Sequence, residues 1–158
     1  MLTYLGHVMA EKGLSLALAE QATQGGLSSW LLSDPNVEAL AGHSWILSHR
    51  VSSELAHQDP LAAAFALAGA TKDKCGTQMA LVTGALKEDH VSVALSTPMV
   101  SGGKQSIVRR FSAQEQKEWI ATLAADMLLR YLTGRSMFVG YSAVERVKEM
   151  HLPSSVLN

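Results

Sequence analysis

The chain has 158 residues, of which 47% are apolar and 17% charged, a balance that predicts a compact globular domain and excludes a disordered chain. The formal net charge of -1 gives no electrostatic reason to expect nucleic acid, whose binding proteins usually carry a basic face. Cys75 is the single cysteine, which excludes an intrachain disulfide and suits a reducing cytoplasm. We expect a cytoplasmic protein without a membrane span, since no run approaches the roughly 20 apolar residues required and the start lacks signal-peptide features.

The first half of the chain predicts alternating helices and strands. Leu2, Leu5 and Met9 lie at helical spacing ahead of Gly13, which predicts a helix that ends in a glycine C-cap. A strand over residues 14–19 follows. The next predicted elements are the polar loop "AEQATQGG" (19–26), a helix (26–33) that stops at the turn cluster "SDPN", a mostly buried strand (43–48) and an ambiguous segment (49–58).

Asp59 and Pro60 predict the start of the next helix. An N-cap residue followed by proline at the first helical position is typical of a helix N-terminus, and the apolar pattern continues to about Asp73. Three strands are then predicted, a central one at 77–84 and a hairpin at 90–97 and 104–111.

The last third of the chain predicts two helices. Ser112 and Glu115 form a capping box ahead of a wide apolar stripe that ends near Leu132. The predicted domain covers residues 1–134, and a tail occupies residues 135–158. In the tail, "YSAVERVKEM" has apolar residues at helical spacing (Val144, Val147 and Met150) and predicts a short amphipathic helix, which docks on its own domain or on a neighbouring subunit.

This order of elements predicts an α/β fold, a mixed sheet with helices on both faces. Ligands of such sheets tend to bind beyond the carboxyl ends of the strands. The loop "AEQATQGG" and the stretch "VTGALK" (82–87) both follow predicted strands and are expected at that edge.

The stretch "EKGLSLALAEQATQGGLSSWLLSDP" resembles the start of the CinA C-terminal domain, a family of nicotinamide-nucleotide amidohydrolases that typically reads "A-T-A-E-S-C-T-G-G-L" there. "MALVTG" (79–84) matches the family's later strand, which ends "A-V-T-G". The order of elements matches from about residue 8 to residue 132.

The resemblance implies a single three-layer α/β/α sandwich with a mixed, mostly parallel sheet, and a homo-oligomer. It implies hydrolysis of the carboxamide of nicotinamide mononucleotide with release of ammonia, so a nucleotide-like small molecule is the expected ligand. The motif serine is taken as the nucleophile, assisted by a tyrosine and a lysine of the second strand and its following turn. No cofactor is implied.

The motif is only partly retained. Glu20 and Thr23 match it, as does Ala19, but Gln21 stands where the family has serine and Ala22 where it has cysteine. Gln24 is either an inserted residue or a replaced glycine ahead of the glycine pair that follows. A glutamine amide cannot be acylated and released as a serine is, so the resemblance predicts loss of the nucleophile.

The second strand and the following loops also depart from the family. Gly42 and Ser48 match, but Leu47 falls at the tyrosine and Ser52 at the lysine in an ungapped alignment. After Gly84 the family's "I-A-G-P" loop is missing. Since removing one member of a catalytic unit usually costs several orders of magnitude in rate, these changes together predict loss of activity.

Several residues at this edge have two interpretations each. Thr23 is a candidate replacement nucleophile or a loop hydrogen-bonding residue. Glu20 orients a ligand hydroxyl or binds loop N–H groups, and the glycine pair faces an anion or forms a tight turn. The predicted ligand-binding residues are Glu20, Gln21, Thr23, Gly25, Gly26, Ser48, Thr83 and Gly84.

Three functions follow from these observations. The first is a divergent CinA-C-like domain that has lost the amidohydrolase activity and binds a ligand or partner. The second is an amidohydrolase with a rearranged site, with Thr23 as its candidate nucleophile. The third, a competence or DNA-repair accessory protein, depends on the family's association with competence and DNA damage alone. A metal site is not expected, because the six histidines lack ligand spacing.

Overall fold

The computed structural model describes residues 1–48, 57–109, 112–138, 140 and 144–153. These residues form a sheet with helices on both faces, so the predicted α/β sandwich is confirmed. The elements in chain order are α1 (Leu2–Lys12), β1 (Leu16–Glu20), α2 (Gly26–Leu31), α3 (Pro35–Leu40), β2 (Ala41–Ile46), α4 (Pro60–Cys75), β3 (Met79–Thr83), β4 (His90–Ser96), β5 (Val100–Ile107), α5 (Ala113–Leu132) and β6 (Glu145–Pro153).

The described sheet has six strands in the order β2-β1-β3-β4-β5-β6. β1 pairs in parallel with β2 on one side and with β3 on the other. The remaining pairs, from β3 to β6, are antiparallel. The sheet is therefore mixed as predicted, with its parallel part confined to the first three strands along the chain.

Alternation along the strands builds two cores of different size. Leu18 and Leu81 point into the large core beneath α1 and α5, whereas Ala19 and Val82 point into a small core beneath α4. The small core is completed by Ala64, Ala68 and Ala94, so α4 packs against the sheet through short side chains. The leucine-rich core lies on the side of the sheet that also carries the loop after β1.

Three local signals in the sequence are confirmed. Gly13 adopts a left-handed φ of 67° at the end of α1, and its N–H donates to the Met9 carbonyl. The Asp59 side chain accepts from the Ala62 N–H at the start of α4. The Ser112 side chain caps α5 in the same way. Each is a short-range interaction, which a sequence pattern can report without knowledge of the tertiary structure.

The turn cluster "SDPN" is the start of a helix, so this part of the prediction is wrong. The Asp34 carboxylate accepts from the N–H groups of Asn36 and Val37, at 3.0 and 3.2 Å, and caps α3. Pro35 occupies the first turn. This is the Asp-Pro signal already recognised ahead of α4, here followed by only six helical residues.

The second strand was predicted at 43–48 and mostly buried, and the burial is wrong. β2 ends the described sheet, paired on one side with β1. His43 is exposed, and the Ile46 side chain is 59% exposed. Of the ambiguous segment 49–58 that follows, residues 49–56, including Ser52, lie outside the described residues, and residues 57 and 58 are helical.

The tail forms a strand where a helix was predicted. β6 pairs with β5 along its length, with one irregularity between Gln105 and Ser106. Val147, part of the supposed apolar stripe, is 46% exposed. The Lys148 ammonium lies 3.1 Å from the Asp59 carboxylate and so joins the new strand to α4. Pairing with the backbone of β5 overrides the helical spacing, because the strand gains hydrogen bonds that an isolated short helix cannot match.

Candidate functional site

The loop after β1 is fixed to its neighbours by backbone hydrogen bonds. The N–H groups of Gln21 and Ala22 donate to the carbonyls of Thr83 and Gly84, at 2.9 and 3.0 Å. On the other side, the Leu47 N–H donates to the Glu20 carbonyl at 2.7 Å. The structure thus brings together the segments that carry all the predicted ligand-binding residues, at the carboxyl ends of the parallel strands.

The Glu20 carboxylate is the centre of this loop. Its side chain is fully buried, and its first oxygen accepts from the Thr23 hydroxyl and from the N–H groups of Gly25 and Leu27, the latter two at 3.1 and 3.0 Å. Its second oxygen accepts from the Ser28 N–H at 2.9 Å and from the Ser28 hydroxyl. Gly25, the N-cap of α2, has no side chain to cap the helix. Glu20 supplies the missing acceptor from the end of the preceding strand.

These contacts favour one of the two interpretations of the glycine pair. The Gly25 N–H is used by Glu20, and the Gly26 N–H donates to the Thr23 carbonyl at 2.9 Å. An external anion would have to displace the Glu20 carboxylate from the Gly25 N–H and the Thr23 carbonyl from the Gly26 N–H. The geometry therefore supports the structural interpretation of Glu20 and of both glycines.

Thr23 has a carboxylate neighbour that the sequence analysis did not identify. Its hydroxyl contacts Glu20 and lies 2.9 Å from the Thr83 hydroxyl. The Thr23 hydroxyl donates its one proton to Glu20, so the Thr83 hydroxyl is the donor in the second contact. Thr23 and Glu20 are three residues apart, in a loop that turns back on the strand end, and this spacing was the signal available in the sequence.

Gln21, aligned with the family's serine in the motif comparison above, connects two strand ends. Its side-chain amide donates to the Ser48 carbonyl at 3.2 Å, and the residue is only 8% exposed. Ser48 takes part in this bond through its backbone. The glutamine thereby links the loop after β1 to the end of β2.

Gln24 has an unusual backbone conformation. Its φ of 50° lies in the left-handed region, and Gly25 follows with a φ of 94°. A residue with a Cβ atom pays an energetic cost there, on the order of 1 kcal/mol, that glycine avoids. The position therefore suits glycine, which favours a replaced glycine over an inserted residue. The Gln24 side chain is exposed.

A cavity of about 470 Å³ lies between this loop and α5. This volume is in the range of small-molecule sites. Of the eight predicted residues, Thr23 and Gly26 line it. The other six are not among its lining residues: Glu20, Gln21, Gly25, Ser48, Thr83 and Gly84. The lining residues are Thr23, Gln24, Gly26, Trp30, Gln114, Lys117, Glu118, Ala121 and Thr122.

The α5 wall of this cavity was missed in the sequence analysis. Its five residues begin at Gln114, and the other four follow three, four, seven and eight positions later, up to Thr122. This spacing places them on one face of the helix. They lie beside the apolar stripe that drew attention to the core. The sequence shows such a polar face, but not which distant loop faces it.

Metal and membrane features were searched for in the described part of the chain. No group of three His, Cys, Asp or Glu side chains there is placed to hold a metal ion. None of the helices described is long and apolar enough to cross a membrane.

Comparisons with known proteins identify the fold. No family model matches the chain, and no curated protein matches it in sequence. Among solved structures, the CinA superfamily protein from Enterobacter cloacae has a TM-score of 0.69 at 16% identity, over 86% of this chain and 93% of that one. A competence or damage-inducible protein from Enterobacter asburiae has a TM-score of 0.67 at 18% identity, over 83% of this chain and 96% of that one. The competence/damage inducible protein CihA from Agrobacterium tumefaciens has a TM-score of 0.68 at 15% identity, over 84% of this chain and 95% of that one.

This chain therefore has the fold of the CinA superfamily. The resemblance first drawn from "AEQATQGG" and "MALVTG" extends over more than four fifths of the chain at the level of structure. At identities of 14–18% the likeness establishes the fold.

Proposed function

We propose that this protein is a divergent CinA-C-like domain that lacks nicotinamide mononucleotide amidohydrolase activity and binds a small molecule. The observation that carries the loss of activity is Gln21, which aligns with the family's serine and whose side-chain amide donates to the Ser48 carbonyl at 3.2 Å. The network around Glu20 fixes the loop that holds this residue. Five donors from Thr23 to Ser28 converge on this one carboxylate. The loop that holds the family's nucleophile is organised here around a buried structural acid.

The side chains aligned with the family's serine and tyrosine supply neither a nucleophile nor a proton-transfer group for amide hydrolysis. Such hydrolysis needs a nucleophile and a nearby base that activates it. Gln21 offers an amide, whose nitrogen already donates to the Ser48 carbonyl. Leu47, at the position of the family's tyrosine, cannot transfer a proton. The loss of activity is thus expected from two positions independently.

The binding half of the proposal depends on the cavity between the loop and α5. It is large enough for a small molecule and combines the Trp30 indole with several polar side chains. Such a mixture of an apolar surface and a few polar groups is typical of ligand sites. A nucleotide-like molecule, as in the family, is one class of ligand to be tested there.

Ammonia release from nicotinamide mononucleotide tests the loss of activity. We expect no turnover above the uncatalysed background. A turnover above roughly 0.1 s⁻¹, near the low end of ordinary enzyme rates, contradicts the proposal.

A second candidate function is an amidohydrolase that uses Thr23. The supporting observation is that Thr23 lines the cavity and that its hydroxyl contacts the Glu20 carboxylate. We prefer the first function because Glu20 also accepts from four other donors, which leaves little acceptor capacity for a transferred proton. If small carboxamides are hydrolysed, Thr23→Ala must abolish the reaction. Unchanged turnover in this variant rules out the nucleophilic role.

Two further expectations remain open to experiment. Several structural neighbours are named as competence- or damage-inducible proteins, and salt-dependent DNA binding at physiological ionic strength would support an accessory role of that kind for this chain. Sedimentation equilibrium tests the homo-oligomer.

A further inference from the structure

Two polar side chains of the cavity have hydrogen-bonding capacity that the described residues do not use. Lys117, half-buried on α5, has no ion pair or hydrogen bond with any of them, and the same holds for the side-chain amide of Gln24. The two residues lie on opposite walls, Gln24 on the loop and Lys117 on the helix. A partly desolvated ammonium without a partner gains from an anionic ligand more than an exposed one does.

We propose that this cavity binds a small monoanionic carboxylate that carries a flat ring. The carboxylate is recognised by the Lys117 ammonium and the Gln24 amide, and the ring packs on the Trp30 indole and Ala121. The inference deepens the proposed function and depends on the cavity being its ligand site. It adds the chemical class of the ligand.

The charges of the lining favour a monoanion over a phosphate. Lys117 is the only cationic residue among the lining residues, which also include the acidic Glu118. The N–H groups of Gly25 and Leu27, which could otherwise cradle a phosphate, are used by Glu20. A dianion would therefore meet one ammonium beside a carboxylate, whereas one carboxylate needs only one cation.

The backbone of Gln24 supports a binding role for its side chain. A glutamine in the left-handed region is less favourable than a glycine, and such residues cluster at ligand sites, where function compensates the strain. Gln24→Gly should leave the fold at least as stable while weakening carboxylate binding. A purely structural role of the side chain predicts the opposite, a loss of stability without a change in binding.

The test is a titration of the full chain, followed by ¹⁵N-resolved NMR, with benzoate, its neutral isostere benzamide, and inorganic phosphate. A fragment of this size is expected to bind with a dissociation constant on the order of 1 mM. We expect benzoate to shift amide signals at Gln24, Trp30 and Lys117, and benzamide to bind at least fivefold more weakly. Lys117→Gln should weaken benzoate binding at least fivefold, whereas Lys12→Gln, a matched change at an exposed lysine of α1, should leave it unchanged.

Several outcomes overturn the inference. Equal affinity for benzoate and benzamide would show that the carboxylate is not recognised. An unchanged benzoate affinity in Lys117→Gln would show that Lys117 does not bind it. Tighter binding of phosphate than of benzoate would show that the proposed anion is wrong. No benzoate binding at a concentration 10-fold above the expected dissociation constant would show that the proposed ligand class is wrong. None of these results bears on ammonia release, and ammonia release with intact benzoate binding would overturn the proposed loss of activity alone.

Discussion

At the scale of single residues, Glu20 shows what a sequence motif can and cannot give. The motif identified the residue, but its role was open between a ligand contact and a structural contact. The structure supports the structural contact, because five donors from a stretch of six residues that begins at Thr23 bind its carboxylate. No pattern in the sequence reports that a loop folds back over its own strand.

Replacing this carboxylate should destabilise the fold. In Glu20→Gln, one oxygen becomes an NH₂ group that faces donors, so at least one buried N–H or hydroxyl loses its acceptor. We expect the free energy of unfolding to fall by about 3 kcal/mol, measured by urea denaturation. Glu11→Gln, an exposed position of α1, is the control and should change it by less than about 0.5 kcal/mol. An equal effect in both variants would remove Glu20 from the centre of the site.

Lys104 makes a second prediction at the residue scale. This lysine on β5 is 3% exposed, and burial lowers the pKa of its ammonium, opposed by the carboxylates of Asp126 and Glu149. In the unfolded chain the lysine stays protonated up to about its ordinary value of 10.5. Between the lowered pKa and that value the unfolded state binds more protons, so this residue's contribution to the free energy of unfolding rises with pH.

Lys104→Met isolates this contribution. We expect the stability of the wild type relative to the variant to increase as the pH is raised from 7 toward 10.5, in urea unfolding at several pH values. The exposed Lys12→Met provides the reference and should show no such trend. A difference between wild type and Lys104→Met that stays constant over this range would contradict the assignment.

At the scale of elements, local signals were predictable and pairings between distant segments were not. The glycine C-cap of α1 and the Asp59 N-cap of α4 act within a few residues, and both are confirmed. The strand β6 was missed because its apolar spacing also fits a helix, and only the free edge of β5 selects the extended form. The α5 wall of the cavity was missed for the same reason, since it faces a loop nearly 90 residues away in sequence.

The contact between α1 and α3 gives an element-scale prediction with opposite signs at two glycines. A methyl group on Gly6 would overlap the Asp34 carboxylate, which is held in place as the cap of α3. A methyl group on Gly69 in α4 would have no neighbouring atom within 4 Å. Replacing a helical glycine by alanine normally gains up to about 1 kcal/mol.

We therefore expect Gly69→Ala to raise the free energy of unfolding by about 0.5–1 kcal/mol. Gly6→Ala should lower it by about 1–3 kcal/mol, because the cap of α3 must move. Thermal and urea unfolding of both variants measure the two signs. A stabilised Gly6→Ala would show that α1 and α3 are packed more loosely than described.

At the scale of the whole molecule, β6 makes the tail part of the sheet. Val144 and Met137, both outside the predicted domain 1–134, are buried in the large core. Lys148 also bonds to Asp59 at the start of α4. We expect a chain that ends at residue 134 to lose about 3 kcal/mol of stability or more, since apolar side chains and the edge of β5 become exposed. Urea unfolding followed by circular dichroism measures this, and a fragment as stable as the full chain would support the boundary drawn from the sequence.

The absence of amide hydrolysis is the central claim, and ammonia release from nicotinamide mononucleotide tests it most directly. Wild type and Gln21→Ser are assayed side by side, since the second restores only the hydroxyl while Leu47 remains at the family's tyrosine. We predict no ammonia above background from the wild type, and none from the variant. Release by the wild type at more than about 0.1 s⁻¹ would contradict the claim, because the loop would then support hydrolysis without the serine and the tyrosine that Gln21 and Leu47 replace.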